Sequence, residues 1–153
     1  KDLKINVDDY INNFDSSNHV AVHIRNYDKN KKFENNLPRS YYEKAFDYFG
    51  KHLDNPVFLI FSDDILYANK ITNNLKYKVV INENKYPKKE ILDFNLMLQF
   101  KNFIIANSTY SWWPAYLSDY PDKKILYPNK KSDMYHSKQW NFDLNVPKDW
   151  ILI

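Results

Sequence analysis

Three short polar stretches hold most of the side chains in this sequence that could do chemistry. HIRNYD, residues 23–28, contains Arg25, one of only two arginines (the other is Arg39), in a chain whose 22 basic residues are otherwise lysines. An arginine chosen against that background supplies a planar, two-pronged donor of the kind phosphate oxygens accept. The competing reading is a surface ion pair with Asp28. Asn26 and Asp28 share the turn, and His23 lies one residue inside the preceding apolar run, where its ring either faces a ligand or is simply hydrogen-bonded in place. FSDD, residues 61–64, offers two adjacent carboxylates, Asp63 and Asp64. They could meet a metal or ribose hydroxyls, although one acid at that point also caps a following helix. NSTYSWW, residues 107–113, places Asn107, Ser108, Thr109 and Ser111 around a helix start, whose free amides attract anions. Hydroxyls plus helix amides are one way to hold a diphosphate. Trp112 and Trp113 read as core residues locking that helix down.

A fourth candidate stands apart. Asp93 falls at helical spacing with Leu96, Met97 and Phe100. Either the helix dipole excuses an acid on that apolar face, or the carboxylate is held inward to accept from an N–H such as that of a purine base.

Composition removes several alternatives. The single glycine, Gly50, excludes both G-x-G-x-x-G and the Walker loop, which need several glycines to bring backbone amides against phosphate. With no cysteine there is no disulfide framework, thiolate metal site or thiol nucleophile. The four histidines, His19, His23, His52 and His136, have no metal-binding spacing, and no G-x-S-x-G elbow is possible. No metal is expected. Twenty-two basic against 19 acidic residues, net +3, is too balanced to predict nucleic-acid binding yet suits a small anion. At 44% hydrophobic and 18% aromatic the chain is no disordered segment. No apolar run reaches membrane-spanning length and no signal peptide is visible, so the expectation is a cytoplasmic or membrane-peripheral protein.

The elements that must position these residues alternate. Strands are expected at 19–24, 57–61, 77–81, 103–106 and 124–127. Helices are expected at 40–53, with Ser40 and Glu43 as a capping box, at 65–75, at 88–101 and from about 112. The tail after Pro128 reads as irregular, pinned by Trp140 and Trp150. Strands separated by helices imply right-handed βαβ units and one Rossmann-like, doubly wound α/β domain over 1–153, with a parallel sheet of about five strands. Ligands bind beyond the carboxyl ends of such strands, where all three polar stretches should converge.

HIRNYD, SYYEKAFDYF, FSDD and above all DFNLMLQFKNFIIANSTYSWWPAYL, with a closing P-x-x-W-I, resemble family 11 glycosyltransferases, the α-1,2-fucosyltransferases. The match runs in order from about Val20 to Ile153. The resemblance implies the donor-binding half of a GT-B enzyme that moves fucose from GDP-fucose to a galactoside 2-hydroxyl, with inversion and without a metal. It implies Arg25 on the diphosphate, His23 near the nucleotide, Asp63 or Asp64 by the ribose, Asp93 by the guanine, and Ser108, Thr109 and Ser111 by the phosphates. The family's H-x-R-R-G-D-Y motif has Asn26 here in place of its second arginine and Tyr27 in place of its glycine. The resemblance also implies a glycan acceptor bound by an N-terminal domain or a partner chain.

Overall fold

A computed structural model describes residues 15, 17–27, 36–83, 87–128 and 146–153. Asp28, His136 and Trp140 therefore lie outside the described residues. Six strands, β1 (His19–Ile24), β2 (Val57–Ser62), β3 (Lys78–Ile81), β4 (Asn102–Ile104), β5 (Lys124–Tyr127) and β6 (Ile151–Leu152), form one sheet in the order β3-β2-β1-β4-β5-β6. Every pairing is parallel. Among the described residues, four helices, α1 (Arg39–His52), α2 (Ile65–Thr72), α3 (Lys89–Met97) and α4 (Thr109–Leu117), lie on the connections.

Alternation along the strands sorts the core into two layers. Val20, Val22, Ile24, Phe58, Ile60, Ile104 and Leu126 pack with α1 and α2 through Tyr42, Phe46, Phe49, Ala68 and Ile71. Ala21, Leu59, Phe61, Phe103, Ile105 and Ile125 pack with α3 and α4 through Leu96, Met97, Trp112 and Ala115. Each fully buried Phe or Leu contributes roughly 1.5–3 kcal/mol of transfer free energy, so both faces are strongly held.

The expected doubly wound α/β fold is present, with one strand more than expected. Ile151–Leu152 pairs with β5, and Trp150 beside it stands 5.5 Å from Trp112 between ring centroids. Two residues show no period, which is why β6 was invisible in the sequence. The Ser40–Glu43 capping box does not form. Pro38 is the N-cap of α1, without a side-chain cap, and Arg39 Nε takes Glu43 Oε1 at 2.7 Å instead. Arg39 also donates to the carbonyls of Lys70 and Asn73, closing the end of α2. α3 ends early because Gln99 and Phe100 tighten onto carbonyls three residues back. α4 begins three residues earlier than expected because Ser108 caps it. Trp113 is 44% exposed, so only Trp112 of the pair is core.

Gly50 explains itself by packing, since its φ is not positive. A Cβ there would enter the Tyr77 ring, which lies over α1 between Phe46 and Phe58 and donates to Asp47 Oδ1 at 2.8 Å. Gly50→Ala gains about 1 kcal/mol of helix propensity but must displace a stiff, flanked ring, at about 1–3 kcal/mol. The expected outcome is a thermal midpoint lowered by about 2–6 °C. In a Tyr77→Ala background the same change should raise it; a rise in the wild-type background would contradict this account of the chain's single glycine.

Candidate functional site

The sheet opens between β1 and β4. β1 pairs with β2 as far as Ile24–Ser62, but with β4 only as far as Val22–Ile104. Past that point the two neighbouring strands part, at the place where the strand order reverses direction. This is the topological switch point at which open α/β sheets take ligands. Tyr41 and Tyr42 of α1 prop the two sides, donating to the carbonyls of Ile105 (2.7 Å) and His23 (3.3 Å).

On the β1 side, Arg25 is 41% exposed at its side chain and lies 3.4 Å from Asp63 Oδ2 through Nη1. Asp63 is the ion-pair partner seen among the described residues; the pairing with Asp28 read from the sequence lies outside them. Its other oxygen accepts from the Asn26 amide at 2.9 Å. Asn26 Nδ2 donates to Asp64 Oδ2 at 2.8 Å, and Asn26 Oδ1 accepts from Asn36 Nδ2 at 2.9 Å. Asp64 is the N-cap of α2, accepting from the Tyr67 amide at 3.0 Å. The two adjacent carboxylates thus part ways, one holding the arginine and the other starting a helix. The Ser62 hydroxyl ties this loop to β1 by donating to the Ile24 carbonyl at 2.7 Å.

On the β4 side, Ser108 is the N-cap of α4 and accepts from the Tyr110 amide at 3.3 Å. Thr109 is exposed at the first helical position, whereas Ser111 is buried with its hydroxyl on the Ser108 carbonyl at 3.3 Å. Asn107 is buried too, and its carbonyl accepts from the Tyr27 hydroxyl at 2.9 Å, a bond that bridges the opening. Arg25, Asn26, Asp63, Asp64, Asn107, Ser108, Thr109 and Ser111 therefore share one edge of the sheet. Tyr27 and Asn36 belong to the same network and were missed as site residues. A tyrosine and an asparagine in a polar loop carry no periodicity or motif to mark them.

Two candidates lie beneath this rim. Asp93 is buried on α3, accepting from Asn82 Nδ2 at 2.7 Å and pairing with Lys89 one turn earlier. Intramolecular partners thus account for its burial, and lone pairs remain on both oxygens. His23 is buried on the α3–α4 face, its ring centroid 5.4 Å from that of Tyr110. Its Nδ1 has no hydrogen-bond partner among the described residues. Burial lowers its pKa to about 3, with Arg25 and Lys89 adding to the effect and Asp63 opposing it. Among the described residues, no three His, Asp or Glu side chains converge as metal ligands.

A buried histidine held neutral makes stability depend on pH with a definite sign. The native pKa lies below the unfolded value of 6.5, so the unfolded chain binds the extra proton. The contribution is complete above pH 6.5 and is lost as pH falls toward about 3. Between pH 6.5 and 5 this one group should remove up to about 2 kcal/mol, at about 1.4 kcal/mol per pH unit. Urea unfolding at several pH values checks it. The slope over that window should flatten in His23→Gln, and an unchanged slope would mean that His23 is not the group responsible.

Comparison with known proteins adds to this geometry. A segment of 122 residues is 41% identical to the O-antigen biosynthesis glycosyltransferase WbnK of Escherichia coli, covering 76% of this chain and 40% of that protein. Over 142 residues the chain is 29% identical to an alpha-1,2-colitosyltransferase of Escherichia coli, covering 90% of this chain and 48% of that protein. Over 113 residues it is 29% identical to galactoside alpha-(1,2)-fucosyltransferase 2 of Rattus norvegicus, covering 71% and 32% respectively. The chain thus spans less than half the length of these relatives. No solved structure matches it. Residues 3–153 match the description Glycosyl transferase family 11. The chain, with its parallel sheet parted at β1 and β4, belongs to glycosyl transferase family 11.

Proposed function

We propose that this chain binds the nucleotide-sugar donor, GDP-fucose, for an inverting, metal-independent transfer of fucose to a galactoside 2-hydroxyl. The observation that carries the reading is the pairing of Arg25 with the N-terminus of α4 on the two rims of the switch-point opening. In such a transfer the bond from the sugar's anomeric carbon to the diphosphate breaks as the acceptor oxygen arrives from the opposite face, and negative charge grows on the leaving diphosphate. A guanidinium and helix amides already in place stabilise that charge without reorganising, an effect worth roughly 3–4 kcal/mol per well-placed donor. In this reading the charge compensation a metal could supply comes from Arg25 and α4. Asp63 and Asp64 stand at the β2 edge for the ribose, and Asp93 lies deeper, below Lys89, for the base. In this reading none of the described residues brought together here is assigned as general base for the acceptor hydroxyl. In this reading the base and the glycan site belong to an acceptor-binding domain or a partner chain.

Two observations favour a second reading, a nucleotide-binding module that does not itself catalyse. Asn26 spends its amide on Asp64 and Asn36, and Tyr27 crosses the opening. The named relatives also include one that acts with colitose, so another nucleotide sugar is a further form of the donor reading.

Titration calorimetry with GDP tests the shared core of these readings. One GDP should bind per chain, equally well in EDTA and in magnesium. Arg25→Ala should weaken it by about 10- to 100-fold, equivalent to about 1.4–2.8 kcal/mol, and Arg25→Lys should restore only part because the ammonium cannot bind two oxygens in one plane. No measurable heat, or binding that requires the divalent ion, would overturn the donor-site proposal. Transfer of fucose by this chain alone would eliminate the non-catalytic form.

A further inference from the structure

Resting on that donor-site reading, we infer that Tyr27 is a positioning residue, which fixes the Arg25 guanidinium and the start of α4 at one separation suited to a diphosphate. Tyr27 stands where the motif of the family has a glycine, so its side chain is an addition to the site. Three contacts define what it does. Its backbone amide donates to Asn36 Oδ1 at 2.7 Å, which sets the loop after β1. Its hydroxyl reaches across to the Asn107 carbonyl at 2.9 Å, joining that loop to the residue before the α4 N-cap. Its ring lies beneath Arg25, with the guanidinium carbon 5.4 Å from the ring centroid.

Arg25 is thereby held from two directions. Asp63 takes Nη1 on the β2 side, and the Tyr27 ring supports the guanidinium plane. A free arginine side chain samples many rotamers, and ordering it on binding costs affinity. Aromatic support with a carboxylate guide removes much of that cost beforehand. The Asn107 bond does the same for the opposite rim, by tying the start of α4 to the loop that carries Arg25. The hydroxyl and ring of one residue thus couple two halves of a binding site that lie 80 residues apart in sequence.

The test is a double-mutant cycle read by calorimetry with GDP and, separately, guanosine. Tyr27→Phe keeps the ring and loses the bridge; it should weaken GDP about 3- to 10-fold. Tyr27→Leu loses both and should weaken it about 10- to 30-fold, while guanosine, lacking phosphates, is unaffected by either. With Arg25→Ala already present, Tyr27→Leu should cost no more than about twofold, because one end of the separation it fixes is gone. Should Tyr27→Leu fail to fold, Tyr27→Phe with and without Arg25→Ala carries the cycle. Equal losses with and without Arg25, a parallel loss for guanosine, or tighter GDP binding on removal of the ring would each overturn the inference while leaving the donor site standing. Absence of GDP binding by the unaltered chain would overturn both.

Discussion

The parting of β1 from β4 is the constraint on which everything else in this molecule depends. A parallel sheet with all strand ends on one edge gives a long polar rim, but no concavity until two neighbours stop pairing. Here the ladder ends at Val22–Ile104, while β1 runs on to Ile24 on its other side. Buried carbonyls beside such a gap must find donors elsewhere, and one left unmet costs about 1–3 kcal/mol. Tyr41 and Tyr42, adjacent on α1, meet two of them, at Ile105 and His23. The gap is thus built into the packing of α1 and does not have to be opened by a ligand.

Scarcity of glycine marks the turns of this chain at both edges of the sheet. Where other chains would use glycine for left-handed backbone, this one uses Asn55, Asn74 and Lys88, with φ of 47°, 59° and 61°. Asparagine tolerates that region; lysine pays more, and Lys88 sits immediately before the helix that holds Asp93. The loops at the rim are likewise stiffened by side chains. Asn26 suits this role in a way a second arginine could not: it donates to Asp64 and simultaneously accepts from Asn36, whereas a guanidinium accepts nothing. The departure at that position gives up a charge and gains a cross-linked loop.

The alternation of Val20, Val22 and Ile24 against Ala21 and His23, and the continuous apolar run of β2, made the sheet and its direction legible in the sequence. The convergence of HIRNYD, FSDD and NSTYSWW on one edge followed from topology alone. What could not be read were contacts made by single side chains across long separations. Tyr27 to Asn107, Asn26 to Asp64 and Tyr77 over Gly50 leave no periodic trace. The capping box failed for a related reason: Ser40 and Glu43 have the right spacing, but Arg39 offers Glu43 a charged partner and Pro38 already sets the entry angle. Local pattern proposes, and the competing partner decides.

A carboxylate such as Asp63 beside the arginine looks like a handicap for an anion site. A guanidinium has five N–H donors, and its Nη1 lies 3.4 Å from Asp63 Oδ2. Two unit charges at 4 Å interact by about 4 kcal/mol at an effective dielectric near 20, so a diphosphate oxygen approaching on the Asp63 side would be repelled about as strongly as it is drawn. On the far side attraction dominates. The Tyr27 ring lies 5.4 Å from the guanidinium carbon, and the hydroxyl of the same residue reaches Asn107 before α4. Asp63 therefore gives the arginine a direction, because an incoming anion is favoured on the side of the guanidinium away from that carboxylate.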